Sequence, residues 1–239
     1  MQRIFLLSHM RAFTSLAGHI LGSHPQINGY YEMHISYEDA SALDRQIADF
    51  QEHDTLKPDS RYLFDKLLHN DYALKPERLG HTNPKVLVSL LGPEQTIKSI
   101  VDLFAKKADN DPYASPVGAA DYYIERIQAL ADFCRTASQP YHYFDAELFQ
   151  RDPEALLPKL TDWLELDSPL SEEYQCFSQT GKPRKGDSSA HIHTGRINRT
   201  PITYPHITLS EDVLRPAHEA YQDCRREIIR HAADSLRAY

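Results

Sequence analysis

Basic and hydroxyl side chains follow the first apolar run of this sequence. Arg11, Thr14 and Ser15 come shortly after residues 4–7, where a strand would lead through a loop into a helix. The unpaired backbone N–H groups and partial positive charge of a helix N-terminus attract phosphate and sulfate. A Walker A loop requires the pattern GxxxxGK[ST], and residues 8–15 contain no glycine. The pattern predicts an anion site unlike that of ordinary P-loop NTPases; the alternative is that Thr14 merely caps the helix.

A second candidate is a cluster of basic residues late in the chain. Five basic residues and one acidic residue, Asp187, lie between positions 182 and 199, so this segment has a charge of +4 in a protein of charge −8. Such a local excess favours a small polyanionic ligand; the alternative is a solvated loop without a ligand. The basic residues are Lys182, Arg184, Lys185, Arg196 and Arg199.

Two titratable side chains follow the second short apolar run. Glu32 and His34 come directly after residues 27–31, and ligands of parallel sheets bind where the strands end. Either side chain could act as a general base; the alternatives are an ion pair for Glu32 and a packed or exposed His34. His191 and His193 alternate as residues on one strand face would, but two histidines without a third ligand do not predict a metal site.

The elements that must position these residues alternate along the chain. Short apolar runs predict strands at residues 3–8, 27–31, 62–68, 85–91 and 141–144. Helical spacing of apolar residues predicts helices at 14–21, within 36–53, and at 95–107, 121–134, 154–166 and 212–236. Residues 177–205 lack a regular pattern and are interpreted as a long functional loop. The alternation predicts one α/β domain over residues 1–239, with a central, mostly parallel sheet flanked by helices.

The composition excludes several classes of protein. A net charge of −8 argues against a nucleic-acid binder, since such domains are usually basic. Three widely spaced cysteines argue against a disulfide framework and against a CxxC zinc site. No run of about 18 apolar residues occurs, as a transmembrane helix would require. We therefore expect a cytoplasmic protein without a transmembrane segment; the sequence does not indicate its oligomeric state.

Taken in order, these segments resemble the sulfotransferases that use 3′-phosphoadenosine 5′-phosphosulfate (PAPS), and small bacterial members most of all. In the family's first donor motif, a basic residue, Ser-Gly and two hydroxyl residues open a helix; the corresponding residues 11–15 read RAFTS. The second donor motif is similar to LLGPEQTIKSI, and the family's late basic loop is similar to TGKPRKGDSSAHIHTGRI. The resemblance covers residues 3–197 and implies a P-loop-like sulfotransferase fold.

The resemblance implies a donor site for PAPS that needs no metal ion. Arg11 and the backbone N–H groups that follow it would hold the 5′-phosphosulfate, with added hydroxyl donors from Thr14 and Ser15. Ser99 would contact the 3′-phosphate, and the late loop would close over the donor. The implied donor-binding residues are Arg11, Ala12, Phe13, Thr14, Ser15, Ser99, Lys182, Arg184, Lys185 and Gly186.

The resemblance also implies the groups that act on the acceptor. Lys66, within YLFDKLLHNDY, stands in the place of an active-site lysine, near the bridging oxygen or the acceptor. Glu32 would take the acceptor's proton, with His34 as the second candidate. The implied reaction is in-line transfer of a sulfuryl group to the hydroxyl or amine of a small-molecule, sugar or lipid-alcohol acceptor.

Two residues depart from the family's pattern. Phe13 stands in the place of a loop glycine, and because a positive φ favours glycine we expect a different loop path. Leu91 stands where the family has an arginine toward the 3′-phosphate, so either the basic loop compensates or donor binding is weakened. The alternative function is a catalytically degraded, sulfotransferase-like nucleotide-binding or scaffold protein. A third possibility is an ATP-dependent kinase, against which the missing Gly-Lys pair argues.

Overall fold

The computed structural model describes residues 1–106, 111–182 and 190–238. Three residues of the predicted late donor loop, Arg184, Lys185 and Gly186, lie outside these ranges. Six strands within the described ranges form one sheet, and each neighbouring pair is parallel. The strands are β1 (Gln2–Leu7), β2 (Ile27–Asn28), β3 (Tyr62–Leu67), β4 (Lys85–Leu90), β5 (His142–Asp145) and β6 (Asp234–Leu236).

Helices cover both faces of this sheet. Because successive strand residues point to opposite faces, Phe5 and Leu7 pack in one apolar core and Ile4 and Leu6 in another. This double burial explains the continuous apolar runs and confirms the predicted parallel sheet flanked by helices. The α-helices in the described part of the chain are α1 (Thr14–Ser23), α2 (Ser41–Gln51), α3 (Pro93–Ala105), α4 (Pro116–Thr136), α5 (Leu148–Arg151), α6 (Pro153–Trp163) and α7 (Glu211–His231).

The strand order places two loops side by side. The order is β2-β3-β1-β4-β5-β6, so the chain leaves β1 toward one side of the sheet and later returns to form β4 on the other side. Ligands of open α/β sheets bind where the order reverses in this way, outside the carboxyl ends of the strands. The loop after β1 and the start of α3 after β4 therefore flank the expected ligand crevice.

The second strand is shorter than the sequence predicts. It ends at Asn28, because Gly29 has a φ of +82° and a side chain there would lie 2.4 Å from the Phe64 carbonyl oxygen. The predicted strand at residues 27–31 is therefore wrong beyond Asn28. This turn lets the following residues leave the sheet and cross the ends of β3.

The last predicted helix is wrong at its C-terminal end. α7 ends at His231, Ala232 is extended, and the chain then pairs with β5 as the edge strand β6. Asp234 accepts a hydrogen bond from the Trp163 indole at 3.1 Å and pairs with Lys159 at 2.7 Å. The described helices include none that is long and apolar enough to cross a membrane.

Candidate active site

The loop between β1 and α1 turns through two residues in the left-handed conformation. Arg11 has a φ of 64° and Phe13 a φ of 55°, although this conformation costs a non-glycine residue about 1–2 kcal/mol. Phe13 thus adopts a backbone conformation that glycine favours and other residues rarely adopt. Phe13 is also the N-cap residue of α1 and makes no side-chain capping bond, and Thr14 is the first helical residue. The alternative interpretation of Thr14 as a helix cap is therefore wrong.

An apolar cluster supports this loop from behind. Leu91 is 3% exposed and packs with Ala12 and Ala146, with Phe13 against them. The buried Ala12 side chain, 1% exposed, is part of this support. Position 91 therefore contributes packing under the loop and supplies no charge to the pocket above it.

One pocket gathers five of the ten predicted donor-binding residues. Arg11, Phe13, Thr14, Ser15 and Ser99 all line it, on the side of the sheet that the strand order indicates. The other residues that line the pocket were not predicted from the sequence, although five of them lie in residues 177–205, the segment interpreted as a functional loop. The missed residues are Leu16, Gln95, Gln150, Tyr174, His191, Ile192, Asn198, Ile202 and Tyr204.

Ser99 is a meeting point of two side chains in this pocket. The Arg11 Nε donates a hydrogen bond to the Ser99 Oγ at 2.8 Å. The Tyr204 hydroxyl donates to the same oxygen, also at 2.8 Å. Three separate segments, after β1, within α3 and before α7, therefore converge at one hydroxyl group.

Lys66 reaches the same loop from the neighbouring strand. It lies on β3 beside Leu6 of β1 and is 1% exposed, and its Nζ donates a hydrogen bond to the Ser15 Oγ at 3.0 Å. A buried ammonium group requires compensation by polar partners. The structure thus brings Lys66 to the first turn of α1, where the sequence analysis expects an anion.

Glu32 and His34 lie together in the segment that follows β2. The Glu32 Oε2 is 3.7 Å from the His34 Nε2, and among the described residues the buried Glu32 Oε1 has no hydrogen-bond partner. Burial raises the pKa of Glu32, and the charge of Lys66, the Leu68 backbone amide and the charge of Arg126 oppose that rise. A carboxylate whose pKa is raised in this way is a stronger base than an ordinary carboxylate.

Arg126 is a site-supporting residue that the sequence analysis missed. It lies on the buried face of α4, and its guanidinium donates to the carbonyl oxygens of Ser8 at 2.8 Å and Leu67 at 2.6 Å. These carbonyls end β1 and β3, so Arg126 ties together the strand ends that carry the first loop and Lys66. The sequence does carry a signal for its burial, because Arg126 lies three residues after Tyr123 on the apolar stripe of the predicted helix.

Asp65 lies next to Lys66 and points to the opposite face of β3. Its carboxylate accepts hydrogen bonds from the Tyr37 hydroxyl at 2.6 Å and from the backbone N–H groups of Met33 at 3.0 Å and Lys66 at 2.7 Å. Burial nevertheless raises the pKa of Asp65 to about 7. The folded protein thus holds a proton at this carboxyl over a range in which the unfolded chain has released it.

Asp65→Asn is expected to flatten the pH dependence of stability. Because the folded-state pKa of Asp65 exceeds the unfolded value, the free energy of unfolding should fall as pH rises from about 4 to about 7. Asparagine keeps the shape and removes that titration. Urea unfolding at several pH values across this window measures the difference between the two proteins. Parallel curves for both proteins would contradict the raised pKa.

Other predicted residues are not part of this pocket. Lys182 is exposed at the end of a described range. Arg199 pairs with Glu154 and Glu172, each at 2.6 Å, which neutralises part of the predicted basic cluster. Within the described ranges, no group of three or more His, Cys, Asp or Glu side chains is arranged to hold a metal ion.

Two solved structures share this fold. The sulfotransferase domain from the curacin biosynthetic pathway is 17% identical over 94% of this chain and 97% of that domain, with a TM-score of 0.54. The sulfotransferase domain from the Synechococcus PCC 7002 olefin synthase is 19% identical over 92% of this chain and 94% of that domain, with a TM-score of 0.62. No family model and no curated protein matches the sequence. The chain has the sulfotransferase fold, as the sequence analysis predicts.

Proposed function

We propose that this chain, as one domain over residues 1–239, is a sulfotransferase that moves the sulfuryl group of PAPS to a hydroxyl or amine acceptor. The observation that carries the proposal is the hydrogen bond of 3.0 Å from the Lys66 Nζ to the Ser15 Oγ at the start of α1. It joins a buried cation and a hydroxyl group at the N-terminus of a helix, which together suit a tetrahedral anion. The fold supports the same interpretation.

The donor would lie with its 5′-phosphosulfate on the first turn of α1. Thr14 and Ser15 would donate from their hydroxyl and backbone groups, and Lys66 would lie near the oxygen that bridges phosphorus and sulfur. The acceptor oxygen attacks sulfur while the bond from sulfur to the bridging oxygen breaks, which leaves 3′-phosphoadenosine 5′-phosphate (PAP). By analogy with phosphoryl transfer, positioning and stabilisation of the developing charge would supply most of the rate.

Glu32 is the proposed general base. Its buried, unpartnered Oε1 can accept the acceptor's proton, and its raised pKa makes that transfer more favourable than to an ordinary carboxylate. His34 is partly exposed, with 31% of its side chain accessible, and lies 3.7 Å from the Glu32 carboxylate. It is the second candidate, or a group that relays the proton from Glu32.

The remaining parts of the proposal concern partners and location. The acceptor is a small molecule, a sugar or a lipid alcohol, and neither a metal ion nor a nucleic acid takes part. The three cysteines, Cys134, Cys176 and Cys224, are free thiols. Free thiols are usual in a reducing compartment, which supports the proposal of a cytoplasmic bacterial enzyme.

Thermal unfolding with candidate nucleotides tests the donor site. A ligand at 100 times its dissociation constant stabilises the native state by roughly 2.7 kcal/mol, which corresponds to a rise in Tm of about 5–10 °C for a chain of this size. We expect stabilisation by PAP and none by ATP with magnesium. Stabilisation by ATP alone would favour the kinase alternative.

Transfer of labelled sulfate from PAPS to a panel of phenols, sugars and lipid alcohols tests turnover. A protein that binds PAP and sulfates at least one acceptor class has the proposed activity. Binding without transfer across the panel would favour the degraded nucleotide-binding alternative, and the absence of both would favour a scaffold.

A further inference from the structure

Two separate clusters of polar side chains lie at the candidate pocket, and Lys66 reaches the first of them from behind Ser15. The first is the Lys66 Nζ with Ser15 at the start of α1. The second is Arg11, Tyr204 and Ser99, which come from three segments that are distant in sequence. Arg11, Ser15, Ser99 and Tyr204 line the same pocket. One ligand in this pocket can therefore contact both clusters.

The second cluster has the chemistry of an anion site. A hydroxyl oxygen accepts two hydrogen bonds and donates one. The Ser99 Oγ already accepts from the Arg11 Nε and from the Tyr204 hydroxyl, each at 2.8 Å, so its own O–H is left to donate. The guanidinium of Arg11 is always charged and presents five N–H groups in a fork that matches phosphate. A guanidinium, a hydroxyl and a phenol thus meet at one point.

The backbone of Arg11 adopts a left-handed conformation, which is energetically unfavourable for a residue other than glycine. The φ of 64° is one that non-glycine residues rarely adopt. Residues held in such conformations cluster at ligand sites, where the surrounding structure maintains the strain. Here the conformation accompanies an Arg11 side chain that is bonded to Ser99 on α3.

We propose that Arg11 and Ser99 bind the 3′-phosphate of the donor, that Tyr204 holds the Ser99 hydroxyl in place, and that Arg11 replaces the arginine that position 91 lacks. The inference rests on the proposed function. PAPS carries two anionic groups on one ribose, and if the phosphosulfate lies at Lys66 and Ser15, the second cluster receives the 3′-phosphate. Leu91 is buried under the loop and has no charge to offer. This assignment moves Arg11 from the 5′ group, where the resemblance places it, to the 3′ group.

Binding of two nucleotides that differ only in the 3′-phosphate tests this assignment. PAP carries that group and adenosine 5′-monophosphate lacks it, so the ratio of their dissociation constants isolates its contribution. We expect Arg11→Gln to weaken PAP binding roughly 10- to 150-fold, the range of one charge-assisted hydrogen bond. The same substitution should change the affinity for adenosine 5′-monophosphate less than about threefold. Isothermal titration calorimetry measures both constants.

Two further variants keep the test independent of a folding defect at Arg11. Tyr204→Phe removes only the phenolic oxygen and should weaken PAP roughly 2- to 12-fold, as expected for one neutral hydrogen bond. Arg226→Gln makes the same change of charge at a guanidinium whose side chain is 73% exposed on α7, and should leave both affinities unchanged. Circular dichroism confirms that each variant is folded.

The possible failures are distinguishable. If Arg11→Gln weakens PAP and adenosine 5′-monophosphate equally, Arg11 binds the 5′ group and the inference is wrong while the proposed function stands. If folded Arg11→Gln and Tyr204→Phe bind PAP as the wild type does, the second cluster does not bind the 3′-phosphate. If the wild type binds neither nucleotide, the proposed donor site itself fails, and this inference fails with it.

Discussion

Glu32→Gln is expected to lower the rate of sulfuryl transfer roughly 10²- to 10⁴-fold, the usual range for loss of a general base. The substitution keeps the shape of the side chain and removes its ability to take a proton. PAP affinity should remain nearly unchanged, because Glu32 is not among the residues that line the donor pocket. Single-turnover transfer of labelled sulfate measures the rate, and calorimetry with PAP measures the affinity.

The pH dependence of this rate distinguishes a base from a structural carboxylate. Burial raises the pKa of Glu32, so its basic form is populated only above that raised value. The wild-type rate should therefore fall as pH decreases through the raised pKa, and Glu32→Gln should lose that dependence. Lys66 and Arg126 oppose the rise in pKa, so the titration should move to higher pH when either charge is removed.

Glu147→Gln is the matched control for Glu32→Gln. Glu147 follows β5, three strands away from β3 in the sheet, and burial also raises the pKa of its carboxyl. This control should keep the wild-type rate and pH profile. A folded Glu32→Gln protein that retained more than half of the wild-type rate would move the role of base to His34, or to no side chain at all.

The sequence predicted the parts of the fold that depend on local pattern. The runs that became β1 and β4 are buried on both faces, which produces apolar stretches that are recognisable without a structure. The edge strand β6 was not recognisable, because its apolar residue Leu236 continues the helical spacing of α7. Its pairing with β5 is a tertiary contact, which a local pattern does not encode.

In the candidate site, too, the sequence indicates which residues could bind an anion but not where the fold places them. Residue type and position identified Arg11 as a group able to bind an anion, and the resemblance to the sulfotransferases implied Ser99. Their contact joins positions 88 residues apart, and the contact of Tyr204 with Ser99 joins positions 105 residues apart. Both contacts are tertiary, and the contact of Arg11 also depends on the strand order and on the left-handed φ of Arg11. The sequence could therefore name candidate ligands of the donor, whereas the distribution of those ligands between two clusters required the structure.

Lys66→Met is expected to lower the transfer rate roughly 10²- to 10³-fold. This is the usual effect of removing one hydrogen-bond donor that stabilises the negative charge of a transition state. Methionine keeps the length of the apolar stem and removes the ammonium group from the Ser15 Oγ. Because the charge of Lys66 also compensates the buried carboxyl of Glu32, its removal should lower the free energy of unfolding as well. The rate is therefore compared in protein that circular dichroism shows to be folded.

Lys57→Met is the matched control, since Lys57 is also a partly buried lysine and burial lowers its pKa to about 8. Its ammonium donates to the carbonyl oxygens of His24 at 2.9 Å and Ile27 at 2.7 Å. Removal of this donor leaves carbonyl groups unpaired, so Lys57→Met should lose stability and keep its rate. Lys66→Met should instead lose its rate, and its rate–pH profile should move to higher pH because Lys66 holds down the pKa of Glu32. A folded Lys66→Met protein with the wild-type rate and profile would remove Lys66 from the reaction, and the observation that carries the proposed function would lose its force.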